Sequence, residues 1–215
     1  MKKIVFILFV LGFIAANAQD NQAVPYVKDL HYTELDPVFA TESDDQVVVY
    51  EFFGYKCPHC SSFQVFMKPW HKKLPNNVKL VRVPVLFQPG WDILAKAYYT
   101  AETMGIIEQT HQPMFDAVHK QRKRFNTIED VADWYAEKFN VDKQAFISTA
   151  NSFMIDSKAR QSNNMMRKMK ITSTPSIVIN GKYKPNKKTL KSNSALLDLA
   201  SFLANKEAKS MGLTE

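Results

Sequence analysis

Cys57 and Cys60, three positions apart in the segment Cys57-Pro58-His59-Cys60, are the entire thiol inventory of a 215-residue chain. A disulfide across so short a loop constrains the unfolded chain by only about 2 kcal/mol, against about 3 for a fifteen-residue loop. The pair is therefore better suited to thiol–disulfide chemistry than to stapling. Cys57 falls where a predicted helix begins, so unpaired amides and the helix dipole present positive charge to its sulfur. Pro58 suits the first helical turn, since it has no amide to leave unpaired. His59 adds a donor and, when protonated, a cation that would stabilise the thiolate. All three favour ionisation of Cys57, and the thiolate is the nucleophile of disulfide exchange. Cys60, one turn inward, would resolve a mixed disulfide. Other uses of the motif fit less well. Haem attachment needs histidine directly after the second cysteine, and Ser61 stands there. Zinc needs two further ligands, and His111 and His119, eight apart, read as surface helix residues. No metal and no cofactor beyond the Cys57–Cys60 disulfide is expected, and an inert structural disulfide stays open.

The elements that would hold this pair are legible around it. Val47 to Phe53 is β-branched and aromatic without alternation, which predicts a strand buried on both faces of a partly parallel sheet. Glu51 is the single charge in that strand, and burial would raise its pKa. Gly54 ends the strand, a helix runs from the cysteines to about Lys73 with Pro69 inside it, and Val78 to Val85 reads as the next strand. From Trp91 the period becomes helical. Ile93, Leu94, Ala97, Tyr98, Ala101 and Met104 share one face. Thr127 to Asp130 resembles a capping box, and a further helical stretch covers about Asp142 to Met169. Met154, Met165, Met166 and Met169 are read as core, with a soft, adaptable peptide-contact surface as the alternative. Strand character returns at Ile177-Val178-Ile179, where Asn180-Gly181 predicts a two-residue hairpin turn. A last helix spans about Ser194 to Lys209. The order predicts an α/β domain of residues 19–90 and 168–215, interrupted by an inserted helical domain of residues 91–167.

Composition bounds the setting. Lys2 and Lys3, the apolar run Ile4 to Ala16 and the small-x-small site Ala16-Asn17-Ala18 read as a cleaved secretory signal over 1–18. That places the mature chain in an oxidising space, where a disulfide persists. The formal net charge of +7 is ordinary solvation: no basic stripe interleaved with aromatics argues for nucleic acid. The basic tract from Lys182 to Lys191 reads the same way.

The stretch from Glu51-Phe52-Phe53-Gly54 through Cys57-Pro58-His59-Cys60 resembles the active-site segment of the DsbA family, bacterial periplasmic dithiol oxidases of the thioredoxin superfamily. Thr174-Pro175-Ser176, followed by Val178 to Tyr183, is similar to that family's cis-proline loop and hairpin. The resemblance covers essentially the whole mature chain. It implies a thioredoxin-like fold with an inserted helical domain, and a protein disulfide oxidoreductase of the periplasm. Cys57 would exchange with substrate, Cys60 would resolve, and Glu51 would relay the Cys60 proton. Pro175 would be cis, with the Thr174 backbone pairing to an extended substrate. Trp91 is a candidate substrate contact, and equally a core residue. The implied partners are reduced, newly exported proteins and a DsbB-like, quinone-linked membrane oxidase. A monomer is expected, and the dimerisation module that a reductase or isomerase usually needs would have no long N-terminal extension to supply it. Gln64 and Arg82 depart from the family pattern, where glutamate and lysine are common. A proton network through those two positions is thereby in doubt. A reductase or isomerase, or a peptide-binding chaperone with an inert disulfide, are the rival functions.

Overall fold

A computed structural model describes residues 26–41 and 43–213. The expected signal segment lies outside the described residues. In chain order come β1 (Tyr32–Glu34), β2 (Val47–Phe53), α1 (Pro58–His71) and β3 (Val78–Pro84). Five helices follow: α2 (Asp92–Thr103), α3 (Ile107–His119), α4 (Ile128–Phe139), α5 (Lys143–Ala150) and α6 (Phe153–Lys168). β4 (Ser176–Ile179), β5 (Tyr183–Pro185) and α7 (Asn193–Ser210) complete the chain. The strands form one sheet in the order β1-β5-β4-β2-β3. β2 runs parallel to β3 and antiparallel to β4, so the parallel pair and its connecting α1 form a βαβ unit. This is the thioredoxin-like α/β arrangement, with α2 to α6 inserted between β3 and β4.

β2 is central because all seven of its residues are buried. Val47 and Val49 pack with Phe63 and Met67 of α1 and Leu199 and Leu203 of α7. Val48, Tyr50 and Phe52 pack on the opposite face with Met165, Met169 and Val178. Burying each such side chain contributes about 1.5–3 kcal/mol, which is why an unbroken apolar run suits this position. Asn180 and Gly181 have φ of 50° and 61°, and Lys182 N–H donates to Ile179 O at 2.9 Å. The two-residue turn expected from Asn-Gly is present, and a Cβ on Gly181 would overlap the Phe39 carbonyl.

The helical block differs from expectation in its divisions. Thr127 and Asp130 form a complete capping box at α4. The helical stretch expected over about Asp142 to Met169 is divided into two helices, because Ser152 caps α6 by accepting from the Ile155 amide. Met165 and Met169 are buried, but Met154 is 47% exposed and Met166 is only partly covered. Met154 sits in the first turn of α6, one residue beyond the exposed Phe153. Among the described residues, no helix is long and apolar enough to cross a membrane.

Candidate active site

The chain turns sharply out of β2, and the Cys57 amide donates to Gly54 O at 3.0 Å. Cys57 is the N-cap of α1, and Pro58 occupies the first helical turn. In place of a hydroxyl or carboxylate cap, the Cys57 sulfur accepts from the Cys60 amide at 3.3 Å. The helix start thus spends a free amide on the reactive sulfur. Cys57 keeps 7% of its surface and Cys60 none, so a substrate reaches Cys57 first. The two thiols differ in acidity for the same geometric reasons. Hydrogen bonding from the Cys60 thiol is the largest cause that lowers Cys57, from 9.0 to about 5, aided by the Thr174 side chain and the Cys60 and His59 amides against the opposing effect of burial. Burial, followed by bonding to Cys57, pushes Cys60 far up. His59 faces the sulfur through its backbone, while its side chain is exposed with that of Pro58.

Glu51 lies within the sheet with no exposed surface. It shares a face of β2 with Phe53 and reaches Gln64, which is one turn beyond Cys60 on α1. Gln64 Nε2 donates to Glu51 Oε1 at 2.7 Å, and Arg82 Nε approaches Oε2 at 3.5 Å. Arg82 also bonds the more exposed Glu108 at 3.1 Å. Burial raises the Glu51 carboxyl, opposed first by the charge of Arg82 and then by the Gln64 hydrogen bond. The two positions that depart from the family pattern therefore both converge on Glu51. An amide and a permanently charged guanidinium replace titratable partners, which leaves Glu51 as the one titratable side chain of the three.

Tyr55, midway between β2 and the cysteines, is gripped by two histidines of α3. Its hydroxyl meets His111 Nδ1 at 2.8 Å, and His119 Nε2 bonds its carbonyl at 2.7 Å. Neither is the surface residue expected from the sequence: His111 is buried and His119 partly so. His111, Phe115 and His119 recur every fourth residue, and this spacing is the signal that they share one helix face. His111 packs edge-on to Phe53 and Phe115. Burial, then the charge of Arg82, holds His111 well below the ordinary imidazole range. A proton taken up only after unfolding destabilises the fold from about pH 6.5 downward, by at most about 1.4 kcal/mol per pH unit. In the oxidised protein, where no thiolate titrates, His111→Phe should remove about 2 kcal/mol of the stability lost between roughly pH 6.5 and 5. Chemical melts of both proteins at several pH values test this, and parallel profiles would refute it.

Opposite the cysteines, the Thr174–Pro175 bond is cis, as is Asp36–Pro37, which the sequence reading did not single out. Pro175 directly precedes β4, and the Cys57 thiol lies 3.7 Å from Thr174 O. Trp91 is half-buried. It packs against both the helical core and the sheet core, next to Phe87. Its ring fills the space that a Cβ on Gly54 would need. The structure therefore makes Trp91 a wedge between the active-site turn and the start of α2.

An acidic thiol capping a helix, a buried resolving thiol behind it and a facing cis-proline on this sheet define a thioredoxin-fold dithiol–disulfide oxidoreductase. A family model described as thioredoxin matches residues 16–199. The thiol:disulfide interchange protein DsbA of Pseudomonas aeruginosa is 36% identical over 186 residues, 86% of this chain and 88% of that protein. DsbA of Pseudomonas syringae is 32% identical and covers 86% of each chain. The crystal structure of Pseudomonas aeruginosa DsbA superimposes with a TM-score of 0.81 at 34% identity, over 86% of this chain and 96% of that one. The chain belongs to the DsbA family of thiol:disulfide oxidoreductases, with Cys57-Pro58-His59-Cys60 as its active-site motif.

Proposed function

We propose that the protein works in the periplasm as a disulfide donor to reduced, newly exported proteins. A substrate thiolate attacks Cys57 Sγ, and the Cys57–Cys60 bond breaks with its electron pair going to Cys60. The substrate's second thiolate then attacks its own sulfur in the mixed disulfide and expels Cys57 as a thiolate. Two substrate thiols are oxidised to one disulfide, and the protein's disulfide is reduced to the dithiol. A low-pKa thiol is the better leaving group, so the acidity of Cys57 drives the second step forward. The observation that carries the direction of transfer is the split between the two thiols, Cys57 low at about 5 and Cys60 high.

Each neighbour has a part in this reading. Cys60 departs into a buried site where its anion is poorly solvated, and Glu51, with its raised carboxyl, supplies the proton. Pro58 shapes the helix start, and His59 offers its amide to the sulfur. The Thr174 backbone beside Pro175 is the pairing edge for an extended substrate, and Trp91 with Phe87 would wall that groove. Re-oxidation falls to a DsbB-like, quinone-linked membrane protein. A reductase or isomerase would hold the same motif reduced. Equilibration with a glutathione redox buffer separates the roles, since a donor must lie well above the thioredoxin potential of about −270 mV. A thioredoxin-like value would overturn the donor reading.

A further inference from the structure

Lys187 was read from the sequence as part of a solvated basic tract, and the structure treats it differently from its neighbours. Lys182 is paired with the Glu207 carboxylate at 3.0 Å, and Lys184 bonds the Lys170 carbonyl at 3.0 Å. Lys187 is itself exposed, as are Lys188 and Lys191, so what sets it apart is its bond rather than its burial. The Lys187 ammonium instead reaches back from the β5–α7 connection and donates to Pro175 O at 2.6 Å. That connection is pinned on both sides of Lys187. The Asn186 amide donates to His31 O at 2.7 Å, and Asn186 Nδ2 and Thr189 Oγ1 both donate to Leu30 O at 3.1 Å. The ammonium is therefore held on the cis-proline loop rather than sweeping solvent. The preceding residue of that loop, Thr174, contacts the Cys57 sulfur. Among the described residues no carboxylate bonds Lys187. Partial burial lowers its pKa, and the charges of Cys60 and Cys57 oppose that.

We propose that Lys187 is a positioning residue for disulfide exchange: it ties the Pro175 carbonyl in place and sets a fixed cation beside the Cys57 thiolate. The inference rests on Cys57 being the ionised, exchanging sulfur. Coupling between charges is reciprocal, so what the thiolate does for the ammonium the ammonium does for the thiolate. The cation is compensated when the pair is reduced and loses its counter-charge when the disulfide forms. It therefore favours the reduced protein, strengthens the donor and makes Cys57 a better leaving group. Hydrogen bonds from Cys60, Thr174 and the helix amides are the larger causes of Cys57 acidity, so the contribution of Lys187 is an increment on theirs.

The test compares Lys187→Met, Lys187→Arg and Lys188→Met with the unmodified protein, by thiolate absorbance against pH and by equilibrium with glutathione. Lys187→Met should raise the Cys57 pKa by about half a unit to one unit and weaken the donor about 3–10-fold. Lys187→Arg keeps the charge and the donor and should stay within about twofold, as should Lys188→Met, which removes the same charge one residue away. Lys187→Met within twofold on both readouts would overturn the proposal, and so would equal shifts for Lys187→Met and Lys188→Met. An ordinary thiol pKa for Cys57 in the unmodified protein would instead overturn the thiolate reading on which it rests.

Discussion

Replacing Cys57 with serine should abolish disulfide transfer, a loss on the order of a thousandfold or more, because a hydroxyl neither ionises near neutral pH nor forms a disulfide. Cys60→Ser should give a different defect. Cys57, 7% exposed in the unmodified protein, keeps its helix-start amides and can still join a substrate thiol under oxidising conditions. With no second sulfur behind it, the joined species accumulates as a mixed disulfide visible on non-reducing gels. The pair of variants also decides between an enzyme and a peptide-binding chaperone. A chaperone with an inert disulfide would protect unfolded clients equally well as Cys57→Ser. Undiminished activity of Cys57→Ser in both transfer and protection assays would remove the redox reading altogether.

The stability of the reduced protein relative to the oxidised protein should rise with pH between about 5 and 9. Cys57 has a folded-state pKa of about 5 against an ordinary 9.0, so the folded state holds its proton less tightly than the unfolded chain. Stability from this group is fully present above the unfolded value and is lost as pH falls through the folded one. The window therefore runs from about pH 9 down to about 5. At pH 7 the unfolded thiol is protonated and the folded one ionised, which is worth about 1–3 kcal/mol once solvent screening is allowed for. Cys60, pushed up by burial, stays a thiol throughout and adds nothing in this range. The oxidised protein has no such group, and its four-residue disulfide loop returns about 2 kcal/mol through the unfolded state at every pH, so the pH dependence carries the test. Paired guanidinium melts should show the reduced form gaining on the oxidised form as pH rises from about 5 to about 9, and losing that gain as pH falls back toward 5. Equal curves, or an advantage that grows toward acid, would contradict the assignment.

Features set by neighbours along the chain were legible in the sequence. The Cys57-Pro58-His59-Cys60 helix start, the Thr127–Asp130 capping box and the Asn180-Gly181 turn all appear in the structure at the predicted residues. Each is decided within about four residues, by a side chain reaching an adjacent amide or by a backbone angle that few residues tolerate. The break at Ser152 was equally local and was missed, since a serine within a polar helical face looks the same whether it caps or continues. His111, His119, Lys187 and Met154 were misread for another reason. Their type and spacing fit a solvated face or a core stripe equally well, and only packing against a distant segment distinguishes the two.

The amino-acid sequence by itself determined that this chain carries one redox pair at a helix start, and the order of strands and helices around it. Tertiary structure alone decided the company that pair keeps. Glu51, Gln64 and Arg82 meet in one buried cluster from two strands and a helix, which the exposed Glu108 of α3 joins through Arg82. Tyr55 is clamped by α3, and the Cys57 sulfur faces Thr174, 117 residues away. The physical reason is range. Helix caps and turns follow from covalent geometry over a few bonds, whereas burial and charge depend on separations in space. The acidity of Cys57, the retained proton of Cys60 and the raised carboxyl of Glu51 are properties of that assembled neighbourhood.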